Sequence, residues 1–348
     1  MMRDNFYHLT ELPGTPLERS WVRDRLETLS EWESIVLSAV TASQPPETVL
    51  DAANCLLSLD GNAVFFAAGG YEGLGRRQLH ATAADRAEEL LEYVDLHELG
   101  KKFENERPGM FVGDYYVAYS PEGRAQLDSN QLFFYTDSGW SVKLKLASPA
   151  APEGVWLRLP DDPELDGSNS AIGEISAAMR ALRVHSLEDC TLLEAQCILP
   201  EAGDLMEQYS GITELVRDGN TLGCVLDEQG QGQPRWMEKF AAALEYEDCR
   251  NLKFALDISQ NLLCYEWVSR EDLTDFAAEH LRSCGVSDEL IQSGCIDLER
   301  YGEDLLETSG FMLTDCEDAY VLRNGRQFVR EYSMVGGESQ ISTPSMEI

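Results

Sequence analysis

The chain holds 348 residues, with 62 Asp and Glu against 27 Lys and Arg, for a formal net charge of −35. Its apolar fraction of 43% is enough to fill a core, which excludes the disordered class in spite of the charge. The longest apolar run, "AVFFAA" at 63–68, falls far short of the ~20 residues a membrane-spanning helix needs.

In chain order, "TPLERSWVRDRLETLSEWES" starts a helix at Thr15. Pro16 takes the first helical position and Glu18 closes a capping box. Leu17, Trp21, Leu26, Leu29 and Trp32 mark its apolar side, with a break near Ser30. "ETVLDAANCLLSL" reads as a second helix and "NAVFFAAGG" as a short strand or a loop. "ADRAEELLEY" and "DLHELGKKFEN" are further helices, and "MFVGDYYVAY" alternates as one strand.

Residues 121–150 read as a connector with strands at "QLFFYTD" and "WSVKLKLAS". The best boundary is "SPAAPEG" (148–154), where two prolines sit among small residues. Beyond it come a strand, "VWLRLP", a helix, "GSNSAIGEISAAMRALRV", and a strand-like "CTLLEAQCILPE". "GDLMEQYSGITELVRDGNTL" holds two short helices. A second boundary, "QGQGQPR" (229–235), precedes four helices: "WMEKFAAALEYE", "NLKFALDISQNL", "SREDLTDFAAEHLRSCG" and "SDELIQSGCIDLERYGEDLLETSG". Ser269 with Asp272, and Ser287 alone, mark two of the starts. "FMLTD" and "AYVLRN" make a terminal hairpin.

One frame occurs twice. Val94, Asp95, Leu96, Leu99, Gly100 and Phe103 lie opposite Ile296, Asp297, Leu298, Tyr301, Gly302 and Leu305, and Leu74 falls opposite Leu273. Similar helices precede both, so the frame reads as a duplicated helical module. Asp95 and Asp297 are placed to cap the short helices they precede, and Gly100 and Gly302 are structural positions within them. The fold class is α+β: an elongated multi-domain chain of small mixed and helical modules. The divisions are an N-terminal helical module with a terminal strand (1–120), the connector (121–150), a small α/β domain (151–230), an acidic module repeating the first (236–335) and a flexible tail (336–348).

Catalytic motifs are scarce. The five histidines form no HExxH pair, "GGYEGLG" (69–75) lacks the Lys of a P-loop, and no GxSxG occurs. Nine cysteines are scattered without a CxxC, no secretory leader is read at the start, and a reducing cytoplasm is the simplest compartment. The chain is therefore read as non-enzymatic, with no cofactor, no metal and no membrane association.

Acid placement is more telling. Residues 151–348 hold 39 acids and 14 bases, a net of −25, against −10 for residues 1–150. Glu271, Asp272, Asp275 and Glu279 share one helix side, Asp288 and Glu289 follow, and Glu299, Glu303, Asp304 and Glu307 mark the next helix. Duplex DNA carries roughly one charge per 1.7 Å, so the net charge of this chain equals that of about 60 Å of duplex. These carboxylates are candidates for contact with a basic partner groove.

The sequence resembles the ArdA-type antirestriction proteins of mobile genetic elements. The resemblance lies in "GVWLRLP" (154–160), "LLEAQCILPEAGDLMEQYSGITEL", "NLKFALDISQNLLCYEWVSREDLTDFAAEHL" and "IDLERYGEDLLETSGFMLTDCEDAYVLRN", about residues 150–330. It implies an acidic, DNA-shaped homodimer with no catalytic residues. Such a protein occupies the DNA-binding groove of type I restriction–modification enzymes and binds no nucleic acid itself. This chain is about twice as long, and its first 150 residues form an extra, less acidic copy of the module. Two other readings stand beside it: an acidic adaptor of a conjugative element, binding a basic partner without shape mimicry, and a hydrolase with a carboxylate-bound metal.

Overall fold

Local capping chemistry starts the first three helices of the computed structural model. It describes residues 6–83, 86–121, 123, 125–134, 140–161, 171–199, 205–230, 234–315 and 318–333. Thr15, Ser30 and Thr48 each accept a hydrogen bond from the N–H three residues on. Glu18, Glu33 and Asp51 in turn accept a bond from the cap residue's own N–H. The helices are α1 (Pro16–Glu27), α2 (Glu31–Ser43) and α3 (Val49–Leu57). Their inward residues, among them Val22, Leu26, Ile35, Val36, Ala52 and Leu56, form one buried core.

A sheet follows. Strands β1 (Ala63–Phe66), β2 (Gly109–Val112) and β3 (Tyr115–Ala118) pair antiparallel in the order β1-β3-β2. Between β1 and β2 run α4 (Tyr71–Ala83), α5 (Ala87–Leu90) and α6 (Leu96–Glu106). "MFVGDYYVAY", expected as one strand, is instead a hairpin. Gly113, at φ 56°, supplies with Asp114 the two-residue turn that a bulkier residue would strain. The module is thus not helices plus one strand but helices on a three-stranded sheet.

The expected strand "QLFFYTD" is a helix, α7 (Ser129–Phe134), in its described part. Asp128 Oδ1 accepts from Gln131 N at 2.8 Å and Gln131 Oε1 accepts from Asp128 N at 2.9 Å, a reciprocal cap that selects helix. Strands β4 (Val142–Ser148) and β5 (Ala151–Leu159) form a hairpin, with Ser148 opposite Ala151. The boundary expected at 148–154 therefore lies inside a sheet, because Pro152 and Gly154 are accommodated along β5. β6 (Thr191–Cys197) completes the order β5-β4-β6, and α8 (Glu174–Leu182) packs on β4 and β5.

Then come α9 (Leu205–Gln208) and α10 (Ile212–Gly230), the latter much longer than the short helix expected. The chain forms two compact units, Met1–Gln196 with Gly211–Val216, and Cys197–Ser210 with Arg217–Ile348, so the division runs through α10 and not at 230.

The second unit repeats the architecture of the first module. α11 (Pro234–Tyr246), α12 (Leu252–Gln260), β7 (Tyr265–Ser269), α13 (Leu273–Ser283), α14 (Asp288–Ile291), α15 (Leu298–Thr308), β8 (Met312–Thr314) and β9 (Ala319–Arg323) follow the order of α2 through β3. The sheet order, β7-β9-β8, is also the same, with all pairs antiparallel. The register sets Phe65, Tyr116 and Phe111 across one sheet and Val268, Tyr320 and Leu313 across the other. Tyr116 and Tyr320 are both buried at the centre. Element starts place Tyr71, not Leu74, opposite Leu273. "SDELIQSGCIDLERYGEDLLETSG" is two helices, separated where Gly294 takes φ 72° and Asp297 starts α15. Among the described residues no helix is long and apolar enough to cross a membrane. Residues 336–348, expected as a tail, lie outside the described residues.

Candidate acidic interface

The acidic helices are oriented by their apolar faces. In α13, Leu273, Ala277, Ala278 and Leu281 are buried, which turns Asp275 and Glu279 outward. A 3₁₀ turn, Arg270–Asp272, leads into α13, with Ser269 Oγ accepting from Asp272 N at 3.3 Å. In α15, Gly302 and Leu306 are buried and Leu298, Tyr301 and Leu305 are half-buried. Glu299, Asp304 and Glu307 are exposed there. Asp297 Oδ1 caps α15 through Arg300 N at 3.1 Å, and Asp95 Oδ1 caps α6 through Glu98 N at the same distance.

The glycines set how closely each helix pair meets. A Cβ on Gly100 would lie 2.1 Å from Tyr71 O, and one on Gly302 would lie 2.8 Å from Leu273 Cδ1. α6 therefore crosses α4 backbone to backbone, and α15 crosses α13 against a side chain.

The ten candidate carboxylates are not equivalent. Glu271, Asp275, Glu279, Glu289, Glu299, Asp304 and Glu307 project from the surface. Asp272 is engaged by the fork of Arg235 and by Ser269 Oγ at 3.1 Å, and the Arg235 bond holds its carboxyl below the usual range. Asp288 accepts from Arg282 Nε at 2.7 Å. Glu303, half-buried, accepts from Arg270 Nη2 at 2.9 Å, and the same guanidinium reaches Asp318 at 3.1 Å. All ten are candidates for contact with a basic partner, but Asp272, Asp288 and Glu303 already hold an arginine.

The matched helices of the first module carry different charge. Lys101 and Lys102 occupy in α6 the positions of Glu303 and Asp304 in α15. Together α4 and α6 hold four acids and four bases, while α13 and α15 hold six acids and two bases. The same helix pair thus forms with and without net negative charge.

A second carboxylate group is internal to the first unit. Glu33, fully buried, accepts from both Nη atoms of Arg25 and from Ser30 N at 2.8 Å, with Arg158 Nη1 at 3.6 Å. Burial would raise its carboxyl, but the two guanidinium groups outweigh this and hold it at about 2. Glu174, also buried, accepts from Ser30 Oγ at 2.8 Å. Burial and then the charge of Glu33 raise its carboxyl well above the usual range. Asp161 takes Glu174 N at 2.7 Å and Ile175 N at 3.2 Å, capping α8. This network ties α1, α2, β5 and α8 together.

Among the described residues no group of three His, Cys, Asp or Glu is arranged to hold a metal ion. No protein-family model matches the chain, and no match was found among curated proteins or solved structures.

Proposed function

We propose that this protein is a non-enzymatic antirestriction factor. The exposed carboxylates of its second unit substitute for DNA phosphates in the basic groove of a type I restriction–modification enzyme. The observation that carries this reading is the charge contrast between the two copies. α6 makes the same capped helix with Lys101 and Lys102 that α15 makes with Glu303 and Asp304. Folding does not require the exposed acids such as Asp304, and their mutual repulsion opposes compaction, so a role in binding accounts for them.

The spacing supports it further. Asp275 and Glu279 are one turn apart, as are Glu299, Glu303 and Glu307, which spaces carboxylates by roughly 6 Å along a helix. One DNA strand places a charge about every 3.4 Å, a density that two neighbouring acidic helices approach together. On this reading the protein acts in the cytoplasm as a homodimer and binds no nucleic acid directly.

The test is a restriction assay with purified type I enzyme, unmodified duplex and the full chain, read as cleavage against protein concentration. Inhibition relieved by excess duplex is the expected result. Binding to a basic partner protein without competition by duplex would favour the adaptor reading instead.

A further inference from the structure

In a chain so short of cations, three arginines and a histidine surround one cavity of the first unit. The cavity measures about 690 Å³, and Arg77 of α4 and Arg180, Arg183 and His185 at the end of α8 line it, with the Ser176 hydroxyl on the same wall. Among the described residues no carboxylate lines it. Neither Arg180 nor Arg183 takes part in an ion pair among the described residues. We propose that this cavity binds a small phosphate-bearing anion of the di- or triphosphate type.

Ring contacts hold two of these guanidinium groups in place. The Arg180 guanidinium lies 4.1 Å from the centroid of the Phe66 ring, and Arg77 lies 5.3 Å from that of Phe65. For Arg180 the aromatic contact orders the guanidinium while leaving its N–H fork free to meet oxyanions. Arg183 turns the chain at φ 56°, and Val184 N returns to Met179 O at 3.1 Å. This closes the carbonyl end of α8, which would otherwise oppose an anion.

Volume and chemistry agree on the ligand class. The cavity falls within the ~300–1,000 Å³ range of small-molecule sites. Several guanidinium forks suit an anion with several tetrahedral oxygens, each able to take a bidentate pair. The surrounding negative charge acts over a distance that salt screens at about 10 Å, so short-range contacts decide binding. The acidic face of the second unit is not involved, and this site stands or falls apart from the antirestriction reading.

Isothermal titration of the full chain with inorganic pyrophosphate tests it, at about 0.1 M salt and with EDTA present so that no divalent cation bridges pyrophosphate to the acidic surface. Saturable one-to-one binding is expected, weakened at least about tenfold in the double variant Arg180→Gln, Arg183→Asn, a loss of ~1.4 kcal/mol. Asn is chosen because it tolerates the left-handed backbone at 183. Should the double variant lose its fold, Arg180→Lys keeps the charge and must still weaken binding, having lost the fork. No saturable binding by the wild type, an unchanged affinity in a folded variant, or citrate binding as tightly as pyrophosphate would each overturn the proposal.

Discussion

The hydroxyl of Ser30 donates to Oε1 of Glu174 at 2.8 Å, across 144 positions of sequence. The same Ser30 caps α2 through its side chain and gives its N–H to Glu33. One residue thus joins a carboxylate held charged by two arginines to a carboxyl held protonated by burial and by that charge.

Replacing Glu174 by Gln should stabilise the first unit at neutral pH and leave it unchanged near pH 4. The folded carboxyl is raised above its ordinary value of 4.5, so the folded form holds a proton that the unfolded form releases above that pH. Stability is therefore lost as pH rises from about 4.5 toward the folded value, and Gln removes that loss. Thermal melts at pH 4 and pH 7 measure it, with about 2–4 °C for each 1 kcal/mol in a unit this size. An equal shift at both pH values would contradict the account.

Glu33 predicts the opposite trend. Its carboxyl is lowered to about 2, so its stabilisation is complete above about 4.5 and disappears as pH falls toward 2. Glu33→Gln should be strongly destabilising at neutral pH, by about 3–5 kcal/mol, because it removes the buried charge that Arg25 and Arg158 share. The penalty should shrink in acid. Denaturant melts across that range would show it.

Asp95 and Asp297 are equivalent caps and should cost alike. Each Ala replacement removes one carboxylate-to-N–H bond and should destabilise its own unit by about 1 kcal/mol. Hydrogen exchange should localise the loss to the first turn of α6 or α15. Loss of less than a third of that value in either would show that water replaces the cap.

The two glycines should not cost alike. Gly100→Ala drives a methyl onto a backbone oxygen, whereas Gly302→Ala meets the Leu273 side chain first. Overpacking costs about 1–3 kcal/mol, and Gly100→Ala should lie at or above the top of that range with Gly302→Ala near the bottom. Urea midpoints of the two variants make the comparison.

Charge reversal should follow exposure. Converting Glu271, Asp275, Glu279, Asp304 and Glu307 to Lys together should weaken inhibition of a type I enzyme severely while circular dichroism stays native. Reversing Asp272, Asp288 and Glu303 should instead unfold local structure, since each would face its arginine, Arg235, Arg282 or Arg270. Undiminished inhibition by the fivefold variant would remove the acidic face from the mechanism.

What the sequence revealed was local. The Thr15 cap, the Asp95 and Asp297 caps and the outward acids of α13 and α15 depend on residues three or four apart, and spacing exposes them. The Asp128–Gln131 cap has the same range, yet the apolar "QLFF" beside it suggested strand pairing. Gly113 and Asp114 made a turn of two residues that alternation alone concealed. The arginine partners of Asp272 and Glu303 lie 37 and 33 positions away, and the Ser30–Glu174 bond lies farther still. Only tertiary structure brings such pairs together. The basic cavity was missed for the same reason: Arg77 sits about a hundred residues before Arg180, and net charge hides a local excess of the opposite sign.

The strand orders β1-β3-β2 and β7-β9-β8 place the last strand made at the centre of each sheet. During synthesis from the N-terminus, neither module can close its sheet until that strand has emerged, because the two earlier strands have no partner in each other. Tyr116 and Tyr320 therefore reach the ribosome exit after nearly everything they will hold together. A pause or truncation just before residue 115 or residue 319 would leave two unpaired strands and their helices exposed to chaperones. Completion of a single short strand is thus the event that commits each module during translation.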